Sequence, residues 1–169
     1  MKILTFTIVS LSLISTSHLF GQEKKISKNK VSLVIHEYIK VNYPSASKIK
    51  FYQESEDGKT FIESQFKFNN DTYYLKFQND VIEEVEVLLP FKEIPENVQI
   101  AIKAELDKLF SHYKIEECQE VNPNSNAMYE IIIESRVAKT SGNFELYFDK
   151  SGKLLDKKEI ISKPIPSQF

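Results

Sequence analysis

The sequence predicts an α+β fold in which two helices pack on one face of an antiparallel sheet. Two segments carry apolar residues at intervals of three and four, which is the spacing of a helix with one buried side. Eight shorter runs alternate apolar and polar residues, as antiparallel strands with one buried face do. Because one helical segment precedes four alternating runs, twice over, we predict two similar α-β4 units.

The first 21 residues have the three parts of a secretory signal. Lys2 supplies the basic start, residues 3–14 form an apolar run, and small residues follow it. The run is shorter than the ~20 residues that a membrane-spanning helix needs. Cleavage after Gly21 or after Ser17 would each fit. We therefore expect a periplasmic or secreted chain with no stable membrane anchor after cleavage, in which residues 22–30 form a loose lead-in.

Net charge and cysteine content further limit the functional classes to which the protein can belong. Removing the signal takes away one lysine and no acid, so the net formal charge changes from −2 to −3. Nucleic-acid binders show a basic face, so this class is disfavoured. The single cysteine, Cys118, cannot form an internal disulfide. It is predicted as a half-buried strand residue, with an intermolecular disulfide or a catalytic thiol as alternatives, and its acidic neighbours should raise its pKa.

The first unit covers residues 31–90. Residues 31–43 have helical spacing, with Val34 among the inward positions, and Pro44 ends the helix. Turn residues then separate four alternating runs, at 47–54, 60–68, 72–78 and 81–89. Gly58 can take the positive φ that the first hairpin turn needs.

The second unit covers residues 91–161, and residues 162–169 form a tail. Pro95 is well placed at the start of a helix over 96–111, because proline lacks only a donor that would be unpaired there. Four runs follow, at 112–121, 127–137, 143–149 and 153–161. Side by side, the two units would make one eight-stranded sheet with both helices on one face. Two unrelated α+β halves remain the alternative to a tandem repeat.

No catalytic constellation, cofactor motif or metal site is predicted. His36 and His112 lack metal-ligand spacing, and no glycine-rich phosphate loop or nucleophile elbow occurs. The adjacent carboxylates at 83–84 and 116–117 would point to opposite faces of a strand, so neither pair can act as an acid/base dyad. Residues 149–152 are interpreted as a turn, since they lack the ligand run of a calcium loop.

Two motifs give a family resemblance that covers residues 31–161. The first helix ends in YPSASKI at 43–49, and the last hairpin turns at DKSGKL, 149–154. With the signal, this is similar to the PepSY-like, β-lactamase-inhibitor-like periplasmic proteins of Bacteroidetes-type bacteria. The second unit departs from the pattern, with FSHY at 110–113 where a Tyr-Pro step is expected. The resemblance implies a non-enzymatic, inhibitor-like or protein-binding module, and no inhibitory residue is carried over.

The sheet face away from the helices is the predicted binding surface. Its tentative partner-binding residues are Tyr52, Tyr74, Lys76, Ile132, Arg136 and Tyr147, since aromatic and arginine side chains anchor many interfaces. The partner would be an envelope or secreted protein or peptide, and Tyr74→Ala or Tyr147→Ala should weaken its capture without unfolding. An ordinary solvated sheet face is the alternative for this surface. For the protein, the alternative is a small-ligand carrier or envelope structural protein with a pocket between sheet and helices.

Overall fold

The computed structural model describes residues 24–56, 58–122, 125–137 and 140–160, which form two helices and one antiparallel sheet. The nine strands of this sheet follow one another in chain order. The predicted signal and the tail over 162–169 lie outside the described residues. The elements are β1 (Lys24–Ile26), α1 (Leu33–Asn42), β2 (Ser47–Glu56), β3 (Lys59–Phe68), β4 (Asp71–Gln78), β5 (Val81–Leu88), α2 (Glu96–Leu109), β6 (Tyr113–Val121), β7 (Met128–Val137), β8 (Thr140–Asp149) and β9 (Leu154–Ile160).

Helix α1 begins and ends at residues that the sequence marks. The Ser32 hydroxyl accepts a hydrogen bond from the Ile35 N–H at 3.4 Å, an N-cap interaction. The helix ends before Pro44, as predicted. Its inward side is narrower than expected: Ile35 is buried, but Val34 is 57% exposed, which corrects the prediction that Val34 faces the sheet.

Each helix covers its own part of the sheet. The first core joins α1 to β2–β5 around residues such as Phe66, Leu75 and Phe77, and the second core joins α2 to β6–β9 around Ile131 and Phe148. Burying a side chain of this size stabilises the fold by about 1.5–3 kcal/mol. Both cores lie on the same face, because alternate residues of each strand point to one side.

The predicted Tyr-Pro step closes the first core. The Tyr43 ring lies 5.0 Å from the Phe66 ring centroid, and 5.2 Å from those of Phe68 and Tyr73. Edge-on aromatic contacts of this kind add about 0.5–1.5 kcal/mol each beyond their buried area. The motif therefore anchors the end of α1 to β3 and β4.

Two sequence predictions need correction at the start of the fold. Lys24–Ile26, expected as a loose lead-in, is strand β1 and pairs with Phe51–Gln53 of β2, so the sheet has nine described strands instead of eight. Alternation over the predicted run 47–54 would place Ile49 on the same buried side as Phe51, but Ile49 is 40% exposed. A bulge at Lys48, whose φ is +57°, interrupts the alternation there.

The seam between the halves of the sheet is short. Strands β5 and β6 share only three paired positions, from Glu86↔Val121 to Leu88↔Gln119. Asn122 extends the seam: its N–H donates to the Val85 carbonyl at 2.6 Å, and its Oδ1 accepts from the Val85 N–H at 3.1 Å. Few ladder bonds thus constrain the angle between the halves.

The β8–β9 turn is locked onto α2 by Gly152. Its φ is +86°, and a Cβ placed there would lie 2.7 Å from the Ala101 Cβ and 3.0 Å from the Val98 carbonyl oxygen. The Asp149 carboxylate holds the turn by accepting from the N–H groups of Ser151 and Lys153. Asp149 therefore acts as the turn residue that the sequence predicts.

Gly152→Ala should lower the free energy of unfolding by about 2–4 kcal/mol, since it combines positive-φ strain with a clash against α2. Gly58→Ala is the matched control, because Gly58 has φ +74° but no atom lies within 4 Å of the point where a methyl group would be added. It should cost only about 1 kcal/mol. Urea unfolding compares the two variants, and equal losses would contradict the proposed contact between the turn and α2.

Candidate binding recess

The face of the sheet away from the helices is concave. Residues of β2, β3, β4, β5, β7, β8 and β9 line one recess of about 700 Å³. In a flat sheet, strands spaced ~4.8 Å apart would place β2 and β9 about 34 Å from each other. Because both strands border the same recess, the sheet must curve strongly around it.

The recess is mainly acidic. Seven carboxyl groups line it, against two lysines. The acids are Glu54, Glu63, Glu84, Glu86, Glu130, Glu145 and Asp156, and the remaining lining residues are Tyr74, Tyr147, Lys76, Lys158, Met128 and Leu155. Cross-strand pairs bring them together, for example Tyr74↔Glu86 and Glu130↔Tyr147.

Three of the six predicted partner-binding residues line the recess: Tyr74, Lys76 and Tyr147. Tyr52 and Ile132 lie on the same face, opposite Glu63 and Glu145 in the strand register, but are not among the lining residues. Arg136 belongs to β7, and its side chain lies outside the described part of the chain. A binding role for all six stays a prediction.

The predicted face is less open to solvent than expected. Tyr74 is 7% exposed and Glu130 only 3%, because the curved sheet shields them. The Tyr74 hydroxyl also accepts a hydrogen bond from Gln65 Nε2 at 3.0 Å. Tyr74→Ala would empty this buried position and cost about 2–4 kcal/mol. The expectation that Tyr74→Ala leaves folding intact is therefore revised.

The two lysines of the recess already make contacts. Lys76 Nζ lies 3.2 Å from Glu54 Oε2 and 4.5 Å from the Phe61 ring centroid. Lys158 is exposed, and its Nζ lies 5.1 Å from the ring centroid of Tyr147. Tyr147 in turn donates its hydroxyl proton to Glu145 Oε1 at 2.5 Å.

Glu145 has few hydrogen-bond donors for a buried carboxylate. The residue is only 7% exposed, and its Oε2 accepts no amide or hydroxyl proton among the described residues. The neighbouring Glu130 carboxyl hydrogen-bonds to Glu145, so a proton kept on Glu130 satisfies it in part. A buried carboxylate with too few donors is costly, so a further donor from a ligand would stabilise Glu145.

Burial and the crowding of carboxyl groups raise the pKa values of Glu130 and Glu86. Burial raises the pKa of Glu130 to about 10, helped by the nearby charge of Glu86 and by a side-chain hydrogen bond with Glu145. Burial and then the charge of Glu84 raise the pKa of Glu86 well above its ordinary value, and Lys76 opposes this only in part. At neutral pH, Glu130 is therefore protonated.

The acidic cluster is not among the sites predicted from the sequence. Carboxyl groups adjacent in sequence point to opposite faces of a strand, so such pairs do not reveal it. The cluster instead combines alternate residues of one strand, Glu84 and Glu86, with residues far away in sequence, such as Glu63 and Glu130. The sequence signal for the cluster is the pair Glu84 and Glu86, two residues apart, which alternates with the apolar residues of β5.

Cys118 and the histidines have structural contacts. Cys118 is 3% exposed in the second core, and burial, then the charge of Glu130, raises the pKa of its thiol to about 12. A buried, protonated thiol is a poor nucleophile. His36 Nε2 lies 3.0 Å from the Lys28 carbonyl oxygen. Within the described ranges, no group of three or more His, Cys, Asp or Glu residues is arranged to hold a metal ion.

Comparison with solved structures identifies the fold. A protein of Bacteroides eggerthii described as periplasmic superposes with a TM-score of 0.61 at 18% identity, over 77% of this chain and 89% of that one. A BLIP-like protein of Bacteroides fragilis gives 0.57 at 19%, over 79% and 90%. A DUF2874 family protein of Bacteroides uniformis gives 0.61 at 15%, over 77% and 90%.

At these identities the likeness concerns the fold. It agrees with the β-lactamase-inhibitor-like part of the predicted resemblance, whereas the PepSY part stays a prediction. No family model and no curated protein matches the sequence. The predicted localisation agrees with the periplasmic description of the Bacteroides eggerthii protein. None of the helices in the described ranges is long and apolar enough to cross a membrane.

Stability should fall as the pH rises from 5 to 8. The unfolded chain releases the Glu130 proton near its ordinary pKa of 4.5, whereas the folded chain keeps it up to about pH 10. Folding therefore takes up a proton in this window, and each such group lowers the free energy of unfolding by about 1.4 kcal/mol per pH unit as the pH rises. Glu86 acts in the same direction.

Urea unfolding at pH 5, 6, 7 and 8 measures this slope. Glu130→Gln should make it shallower, because one titrating group is removed from among Glu84, Glu86 and Glu145. Glu159→Gln is the control. Glu159 is exposed, and its strand partner Phe144 packs against the second core, so Glu159 lies on the helical face and away from the recess. A stability that rises or stays level over this range would contradict the protonation of Glu130 in the folded chain.

Proposed function

We propose that the chain is an exported, non-enzymatic module that binds a protein or peptide segment in the sheet recess. The recess itself carries this proposal. Its volume of about 700 Å³ lies within the ~300–1,000 Å³ of typical ligand sites. The periplasmic and BLIP-like neighbours support export and a non-enzymatic role by analogy of fold.

The residue types of the recess favour a polypeptide as its occupant. Tyrosines recur at the centres of protein interfaces, because their large rings bury area at little entropic cost while the hydroxyl keeps a polar partner. Tyr74 and Tyr147 are placed on β4 and β8, on either side of the seam. Their spacing across the recess suits an extended occupant that contacts both halves of the sheet.

The alternative of a small-ligand carrier, with its pocket between the sheet and the helices, has less support. Unfilled space does occur on that side: a second recess of about 870 Å³ borders α2 and the seam, with Leu89, Phe91 and Lys103 among its lining residues. It is more open to solvent than the recess on the other face, and the interior beneath the helices is filled by the two cores. We therefore keep the polypeptide-binding proposal.

We also interpret the two helix-and-four-strand segments as a tandem repeat. The separate first and second cores support this reading, as does the short β5–β6 seam between them. Such an arrangement places the recess across the boundary of the two units, where each unit supplies one wall.

A selection experiment tests the proposed function. A random peptide library is selected on the mature chain, and the enriched peptides are measured by fluorescence anisotropy. Leu155→Arg changes a 53% exposed residue that lines the recess, and should weaken their binding at least about tenfold. Ile100→Arg is the matched control, because Ile100 is a 63% exposed aliphatic residue on α2.

The control should bind as the wild type does. Peptides that lose affinity for the Ile100→Arg variant and keep it for Leu155→Arg would move the binding surface to the helical face. A selection that enriches no peptide would contradict the proposal. Circular dichroism of both variants checks that the fold is intact.

A further inference from the structure

The recess holds more acidic than basic side chains. Seven carboxyl groups line it, and the five other than Glu86 and Glu130, whose pKa values are raised, still outnumber Lys76 and Lys158. Lys76 Nζ is held by Glu54 at 3.2 Å, and the Lys76 side chain is only 23% exposed. The recess is therefore complementary in charge to a cation.

Glu145 marks where such a cation would bind. Its Oε1 accepts the Tyr147 hydroxyl proton at 2.5 Å, its buried Oε2 accepts no amide or hydroxyl proton in the described structure, and the neighbouring Glu130 carboxyl hydrogen-bonds to Glu145. An incoming N–H donor would add to the hydrogen bonds of this carboxylate. Because charge-assisted hydrogen bonds are about twice as strong as neutral ones, a cationic donor satisfies it best.

The chain already places one of its own cations beside this position. Lys158 is opposite Glu145 in the β8–β9 register, and its ammonium lies 5.1 Å from the Tyr147 ring centroid. Lys158 is exposed, so it can move aside at little cost. The ring and the carboxylate together thus form a place where a cation is stabilised by both charge and the aromatic face.

We propose that the recess binds an arginine-bearing peptide segment, with the guanidinium group hydrogen-bonded to Glu145 beside the Tyr147 ring. This inference rests on the function proposed above and names the chemistry of its partner. Arginine fits better than a compact ion, because its planar group presents five donors to carboxyl groups that are spread over several strands, and also stacks on tyrosine. Met128 and Leu155 offer apolar contacts for its methylene stem.

Isothermal titration calorimetry with defined probes tests the inference. The probes are a capped alanine-based nonapeptide with arginine at alternate positions, its citrulline counterpart, spermidine and calcium chloride. Citrulline keeps the shape of arginine without its charge. The arginine peptide should bind at least about tenfold more tightly than the citrulline peptide.

Two pairs of variants locate the site. Glu145→Gln should weaken binding of the arginine peptide at least about tenfold, whereas Glu159→Gln, on the other side of the sheet, should leave it unchanged. Lys158→Met should strengthen binding about threefold or more, because it removes a competing cation. Lys157→Met is its control, since Lys157 lies near the Phe110 and Phe144 rings of the helical side. A gain of affinity cannot come from loss of folding.

Several outcomes would overturn the inference. Equal binding of the arginine and citrulline peptides would do so, as would an arginine peptide whose affinity Glu145→Gln does not change. Tighter binding of spermidine or calcium would assign the recess to a different cation. If the library selection enriches neutral or acidic peptides that Leu155→Arg blocks, the proposed function stands and the inference about arginine fails.

Discussion

The crowding of carboxyl groups on the concave face of a curved sheet is the constraint on which the recess depends. On a flat sheet, water would hydrate Glu86 and Glu130, and each would ionise separately. Curvature removes much of that water and brings their charges together, so burial and mutual repulsion raise the pKa values of Glu86 and Glu130. The fold thus tolerates these acids by keeping protons on some of them.

The curvature follows from how the chain is divided. Each helix packs on its own half of the sheet, and the two cores have no buried residue in common. Three paired positions, the bonds of Asn122 and one hydrogen bond from the Leu89 N–H to the Cys118 carbonyl join the two halves at β5 and β6. Strand twist adds to the bend, since neighbouring strands are rotated by roughly 20–25°. Helices on the outer face and polar residues on the inner face are the arrangement that such a bend requires.

Local pattern was enough to predict much of the fold and one part of the site. Alternation placed Tyr74, Lys76 and Tyr147 on the face away from the helices, and the structure brings these three together. Alternation could not show that Glu63, Glu86 and Glu130 converge, because that depends on register between distant strands and on curvature. β1 was missed for a similar reason: Lys24–Ile26 is too short to show a period, and pairing with β2 makes it a strand.

The central claim is that the recess holds buried, protonated carboxyl groups, and carboxyl ¹³C chemical shifts measured by NMR across a pH titration test it most directly. Glu130→Gln and Glu86→Gln assign the two signals by their disappearance. The Glu130 carboxyl should stay protonated through neutral pH and titrate near 10, with Glu86 also well above its ordinary range. If every glutamate signal instead titrates near 4.5, the recess is hydrated, and its carboxyl groups are neither buried nor protonated as described.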